Sequence, residues 1–299
     1  MAGKRQSGPH GLLLVDKSVG WTSHDVVARA RSLLDQRRVG HSGTLDPPAT
    51  GLLLLGVGNM TRTLRFLTAL PKTYVGTLVL GTATSTLDDT GDITAYFDME
   101  GTTLEAVSSA ASSFLGEISQ IPPMVSAIKI DGKRLHELAR AGEVVEREPR
   151  RVTIHALGIA AGTADNEFEL TVRCSSGTYI RTLAEDIATA LGGGGHLKNL
   201  RRTDIGSFSV RDACVLPPRD TEPEVPLVLV EPVEALRDYP SFVVDQRIEK
   251  LVGNGVVLNP EQLGDPAPGP VVVVSEEGAL LAIYAEGERG WKPELVIAR

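Results

Sequence analysis

The sequence predicts a mixed α+β protein with a principal domain over 1–238 and a smaller one over 239–299. Strand-like alternation and helix-like periodicity follow one another irregularly, with short turns, which builds α+β architectures rather than doubly wound sheets. The chain has 299 residues, 42% of them hydrophobic and 23% charged, enough for a full core plus a second unit and too apolar for disorder. Six of the eighteen prolines fall among Asp and Glu in 216–240, a stretch that reads as a boundary.

Taken in order, residues 1–10 form a basic leader and 11–16 a short apolar strand, closed by the turn 17–20. Ser23 is expected to cap a helix with Val26, Val27, Ala30, Leu33 and Leu34 on its inner face and Arg29 and Arg31 towards solvent. The segment 40–51 holds three glycines and two prolines and is expected to be a shaped loop. A strand over 52–57, a turn at 58–59 and a helix through Leu64, Leu67 and Leu70 follow. In the next strand, 74–80, Tyr74, Gly76, Leu78 and Leu80 share one side. A polar loop occupies 82–92, and Thr102 with Glu105 makes a capping box for a helix ending near Gly116. Pro122-Pro123 breaks the pattern before an extended stretch 124–130, a turn at 131–132 and a short basic helix, 133–141. Paired strands over 151–159 and 167–174 precede a helix with Ile180, Leu183, Ala184, Ile187 and Leu191 in register, ended by the glycines 192–195. Segments 196–202 and 207–210 close the larger domain. The smaller one is expected to hold a helix near 247–252 and strands over 271–274, 279–284 and 294–298.

Charge is unevenly spread. The net charge is −8, yet residues 1–72 hold ten Lys and Arg against four Asp and Glu, while 219–299 hold seven against fifteen. A local basic face of that kind suits phosphate contact whatever the total. Cys174 and Cys214 stand forty residues apart without a C-x-x-C pair, which excludes a disulfide framework and fits a reducing cytoplasm. No apolar run is long enough to span a membrane, and the N-terminus lacks the apolar segment of a signal peptide. The six histidines show no metal-ligand spacing, and Gly56-Val57-Gly58-Asn59 lacks the Lys-Ser/Thr of a P-loop, so neither metal nor cofactor is expected. Gly40-His41-Ser42-Gly43 fails as a nucleophile elbow because Thr44 stands where Gly is needed.

Within 40–51, Asp46 and His41 can attack carbon or move protons, although Asp46-Pro47 also serves as an ordinary turn opener. Arg181, in the first turn of its helix, opposes the helix dipole and therefore suits a carboxylate elsewhere, and its pairing with Asp46 is expected to hold and orient that carboxylate as a nucleophile. The alternative is a solvated surface arginine. Tyr74 is either a stacking platform or a core aromatic, and Asp88 either reads a base edge or opens the Asp-Asp-Thr-Gly turn.

Six segments, taken together, resemble the bacterial tRNA pseudouridine synthases of the TruB family. They are Gly40-His41-Ser42-Gly43-Thr44-Leu45-Asp46-Pro47, Lys72-Thr73-Tyr74, Thr84-Ser85-Thr86-Leu87-Asp88-Asp89-Thr90-Gly91, residues 121–129, Gly177-Thr178-Tyr179-Ile180-Arg181 and Leu200-Arg201-Arg202-Thr203. The resemblance spans 11 to about 210 in family order and implies a pseudouridine synthase fold, with a mixed, largely antiparallel sheet flanked by helices. It also implies isomerisation of uridine 55 in the T-loop of tRNA, without cofactor or metal, by a monomer that also assists tRNA folding. By motif match Asp46 is the nucleophile, Arg181 its ion-pair partner, and Tyr74 the ring against the flipped base. Asp88 then contacts that base, His41 fills the gap it leaves, and Leu200 lines the pocket. Residues 120–151 correspond to an arm that closes over RNA, and Lys17, Lys129, Lys133 and Arg140 are expected to contact RNA. Residues 239–299 resemble a PUA-type RNA-binding module. Two departures stand out: Ser18 replaces the common Pro, and His136 replaces a common Tyr. The rival readings are an RNA-binding protein on the same scaffold and a carboxylate glycosidase, which needs a second carboxylate.

Overall fold

The computed structural model describes residues 8–123, 129–130, 133–134, 145–223, 225–263, 269–288 and 290–297, and every count below refers to those described residues. In chain order they form β1 (Gly11–Lys17), α1 (Ser23–Leu33), β2 (Val39–Ser42), β3 (Thr50–Val57), α2 (Leu64–Ala69), β4 (Lys72–Leu80), β5 (Thr82–Thr84), β6 (Ile93–Tyr96), α3 (Leu104–Ser112) and β7 (Gly116–Gln120). Next come β8 (Lys129–Ile130), β9 (Lys133–Arg134), β10 (Arg150–Ala161), β11 (Glu167–Cys174), α4 (Ile180–Ala190), β12 (Gly195–Ile205) and β13 (Phe208–Ser209). The chain ends with β14 (Ser241–Val244), α5 (Gln246–Gly253), α6 (Pro260–Leu263), β15 (Val271–Ser275), β16 (Leu280–Gly287) and β17 (Gly290–Val296). This is the α+β composition the sequence predicts. It falls into two compact units, one of Met1–Pro47, Gly51–Leu70 and Gly206–Arg299, the other of Pro48–Thr50 and Pro71–Ile205.

In the first unit β3 is buried along its length after Thr50, which is why it reads as an unbroken apolar run instead of alternating. It pairs antiparallel with β1 from Gly11 opposite Val57 to Lys17 opposite Gly51, and antiparallel with β2 from Val39 to Ser42. Against this sheet α1 lays Val26, Val27 and Ala30, closing a core with Leu13, Val15, Leu53 and Leu55. The C-terminal strands have the order β14-β15-β16-β17, with the first pair parallel and the others antiparallel, and bury Val252, Tyr284 and Trp291 in a core of their own. The expected helix and strands there are found, while β14 and α6 went unforeseen.

The second unit is an antiparallel ladder in the order β12-β4-β11-β10-β7. Alternation is strict in β11, where every second residue is buried, and in β4, where Lys72, Tyr74, Gly76 and Leu78 point inward together. The amphipathic α4 buries Ile180, Leu183, Ala184 and Ile187 as its periodicity predicts.

Several local expectations are corrected. Residues 40–42 belong to β2, so the loop proper is 43–49 and His41 is a strand residue opposite Leu55. Glycine is tolerated at this position because the strand packs closely: a Cβ on Gly40 would lie 2.9 Å from Leu64 Cδ1. The cap of α1 is Thr22, whose hydroxyl accepts from Asp25 N while Asp25 accepts from Thr22 N, a reciprocal box. Likewise α3 is capped by Thr103, not Thr102. Arg29 is buried, because its guanidinium donates to the carbonyls of Pro217 and Thr221. Within the polar loop β5 and β6 form a small hairpin. Lys133 and Arg134 form the strand β9 opposite β8, while 131–132 and the rest of the expected helix, 135–141, lie outside the described residues. Arg140, His136 and residues 124–128 lie outside the described residues.

Thr22→Ala is expected to lower stability by about 1 kcal/mol, the usual worth of a threonine cap. A shift of the urea midpoint to lower concentration checks this; an unchanged midpoint would remove Thr22 from the role.

Candidate active site

Asp46 is half-buried in the loop 43–49, between two neighbours whose backbone is held from within the first unit. On its N-terminal side, Leu45 N donates to Ser23 Oγ at 3.0 Å and Ser23 Oγ donates back to Leu45 O at 3.3 Å. On its C-terminal side, Pro47 O accepts from Gly20 N at 2.8 Å and from Lys17 Nζ at 3.3 Å. Lys17 also donates to Trp21 O at 2.8 Å and Ser18 O at 3.1 Å. Only 1% of Lys17 is exposed, so the expected RNA contact is corrected: its ammonium gathers three carbonyls of the turn and the loop. Buried lysines keep their charge by this kind of carbonyl coordination. Ser23 was expected to cap α1. Its hydroxyl is free for the loop because Thr22, the preceding residue, performs the capping. The doublet Thr22-Ser23 was the available signal: two hydroxyls where a helix needs one.

His41 projects from β2, half-buried, with its ring edge-on to His24 at a centroid separation of 5.5 Å and an interplanar angle of 78°. Arg38 donates to Asn59 Oδ1 and remains exposed.

Tyr74, Asp88, Arg181 and Leu200 fall in the second unit. Tyr74 is buried in the middle of β4, opposite Val172 on one side and Arg202 on the other. The ladder between β4 and β12 slips between Lys198 and Arg201, and Asn199 takes a left-handed φ of 56°. This bulge re-aims Leu200, which is half-buried beside it. Gly76 allows the bulge to pass, since a Cβ there would sit 3.1 Å from Leu197 Cδ1. Lys72, at the start of β4, is pushed down to about 8 by burial and then by Arg202.

The segment 84–91 closes on itself. Asp88 Oδ1 accepts from Thr86 Oγ1 at 2.6 Å, Thr90 Oγ1 at 2.5 Å and Thr90 N at 3.1 Å. Gly91 is required here, because a Cβ would lie 2.7 Å from Thr86 N. The turn is stitched to β12 by Leu197 N to Leu87 O and Asp89 N to Leu197 O. Arg181, on the second residue of α4 and 6% exposed, donates Nη1 to Thr86 O at 2.8 Å and lies 3.5 Å from Asp88 Oδ2. The structure thus brings Asp88 and Arg181 together as an ion pair with both partners largely buried. Gln120, at the end of β7, holds the start of α4 through two bonds with the Tyr179 backbone, donating to its carbonyl and accepting from its N–H. Nothing in the sequence pattern singled out Gln120; its partner is fifty-nine residues away. Lys129 and Lys133 are placed on β8 and β9.

Comparison with known proteins follows the same lines. Residues 31–180 match the model of the TruB family pseudouridylate synthase N-terminal domain, and 181–217 the tRNA pseudouridylate synthase B C-terminal domain. The chain is 43% identical over 278 residues to tRNA pseudouridine synthase B of Rhodococcus jostii, covering 90% of each. It is 42% identical over 294 residues to that of Streptomyces coelicolor, covering 95% of each. With its namesake in Ralstonia pickettii the identity is 44% over 278 residues, covering 91% of this chain and 87% of that one. In fold it is similar to a chain in the crystal structure of a Cbf5-Nop10-Gar1 complex, with a TM-score of 0.70 at 24% identity, over 96% of this chain and 84% of that one.

Ser23→Ala leaves Leu45 N and O without their partner in a buried setting, at an expected cost of about 1–3 kcal/mol. Urea unfolding measures it, and amide exchange at Leu45 should accelerate in the same variant. Protection equal to that of the wild type would show that the hydroxyl does not hold the loop.

Proposed function

The chain belongs to the TruB family of pseudouridylate synthases, and we propose that it isomerises uridine 55 in the T-arm of tRNA, with Asp46 as the nucleophile. The observation that carries this reading is the clamped loop: Asp46 is the carboxylate between two residues whose backbone is fixed by buried side chains. The named relatives, at 42–44% identity over most of their length, supply the substrate class.

The reaction cuts the C1′–N1 bond of the uridine, rotates the uracil and forms a C1′–C5 bond; the C5 proton leaves and N1 takes up a proton. No electron is gained or lost and no group is consumed, so side chains suffice. A base inside a folded loop must first be unstacked. In this reading His41 occupies the space that the base vacates, and Tyr74 and Leu200 receive the base. Asp46 attacks either C1′ or C6, and Tyr74 is assigned as the group that takes the proton. Arg181 is assigned as the ion-pair partner of Asp46, on the motif match. The three donors on Asp88 Oδ1 and its pairing with Arg181 favour a role for Asp88 in orienting that guanidinium over direct contact with the base. Lys17 is assigned to loop placement, and Lys129, Lys133 and Arg140 to phosphate contact. The unit formed by β14–β17 is assigned as a PUA-like RNA-binding module attached to a catalytic domain of residues 1–238, with 120–151 as the gripping arm. We assign the chain to the cytoplasm as a monomer that assists tRNA folding; among the described residues no helix is long and apolar enough to cross a membrane.

The test is tritium release from an unmodified tRNA transcript labelled at C5 of uridine. Wild-type protein should release it only when position 55 is uridine, and Asp46→Asn should lower the rate roughly a thousandfold or more, as for loss of a nucleophile. Binding of the transcript by Asp46→Asn should persist. Release of free uracil would instead support a glycosidase, and tight binding without release by either protein an RNA-binding role.

A further inference from the structure

The second unit contains a cavity of about 450 Å³ that none of these roles uses. One wall is a face of α4, where Thr182, Glu185 and Asp186 stand at i, i+3 and i+4. Leu87, Ser119 and Arg147 line it from other elements. Thr182 is 6% exposed, yet its Oγ1 has no hydrogen-bond partner among the described residues. A helical threonine can return its hydroxyl to a carbonyl three or four residues before it, and this one does not. Arg147 donates Nη1 to Pro122 O at 2.9 Å, while its buried Nε is likewise without a partner among the described residues. Burial pushes the Glu185 carboxyl up, against the pull of Arg147, and pushes Asp186 up to about 6, with Glu185 adding to the rise. Leu87 holds a left-handed φ of 63°, an uncommon conformation for leucine. Buried donors without partners among the described residues, beside two carboxyls on one helix face, mark a candidate binding site.

We propose that this cavity is a second nucleobase pocket, taking an unstacked guanine of the RNA between a carboxylate of α4 and the Arg147 guanidinium. The proposal rests on the RNA-modifying reading above. The volume suits a purine, and Leu87 offers an apolar contact for its face. Two carboxylates call for a ligand that donates hydrogen bonds, which excludes a bare phosphate. Guanine alone among the four bases presents two adjacent donors on one edge, N1–H and the N2 amine, and two adjacent acceptors on another, O6 and N7. The first edge matches a carboxylate and the second an arginine fork. Thr182 Oγ1 and Ser119 remain for the sugar or a bridging water.

The test uses T-arm hairpins in which each loop guanine is replaced in turn by inosine, which lacks the N2 amine. Equilibrium binding and tritium release are measured side by side on wild type, a Glu185→Gln/Asp186→Asn double variant and Thr182→Val. One inosine position should weaken wild-type binding about tenfold or more, the effect of losing a hydrogen bond to a charged group. The same replacement should make no difference to the double variant, and Thr182→Val should bind the unsubstituted hairpin several-fold more weakly. Insensitivity of the wild type at every position overturns the pocket, as does an inosine effect that persists undiminished in the double variant. Tritium release from the unsubstituted hairpin reports separately on the enzymatic reading, and binding reads the pocket whether or not turnover is seen.

Discussion

The placement of Asp46 depends on two buried polar side chains that act on the main chain at its flanks. Ser23 returns both hydrogen bonds of Leu45 through one hydroxyl, and Lys17 spends its ammonium on three carbonyls, Pro47 among them. A carboxylate on an unanchored loop would otherwise sample many positions, and each would have to be given up when a substrate arrives. With residues on either side already fixed, that ordering is complete before binding, which is the main way a scaffold favours a reaction geometry. A lysine has no place in an apolar interior unless its charge is met, so Lys17 and the turn around it need one another. The buried run of β3 beyond the loop supplies the rigid floor.

A second polar unit is built on the same logic. Asp88 is surrounded by donors from Thr86 and Thr90, and what remains of its charge meets Arg181. Arg181 in turn holds Thr86 O, so the turn and α4 position each other. Burying two opposite charges is favourable only when their remaining valences are filled, and here the threonines fill those of the carboxylate. Gln120 performs the equivalent service for the first backbone groups of α4, which no side chain of the helix itself caps.

The sequence was most legible where local pattern suffices. Alternation placed β4 and β11, periodicity placed α4, and the glycine- and proline-rich stretch marked the loop that bears Asp46. Legibility failed where a partner lies far away in the chain. Arg29 looked solvated because its acceptors are 188 and 192 residues distant, and Ser23 looked like a cap because its target, Leu45, comes twenty-two residues later. His41 was assigned to a loop because glycines neighbour it, although close packing against Leu64 is what Gly40 serves. The pairing of Asp88 with Arg181 has no local signature at all, since each residue has an adequate local explanation as turn former or helix-face cation.

The bulge in β12 has a consequence for how this protein tolerates change. Side chains on a strand alternate between faces, so a single extra residue exchanges the faces for everything beyond it until the ladder recovers its register. Leu200 owes its orientation to that extra residue, and Arg201 and Arg202 resume pairing with Val75 and Tyr74 just after it. Substitution at Asn199 therefore alters a backbone preference, whereas deletion at the same point would turn Leu200 to the other side of the sheet. In this stretch the number of residues carries more information than their identity, and related chains should vary in letters there long before they vary in length.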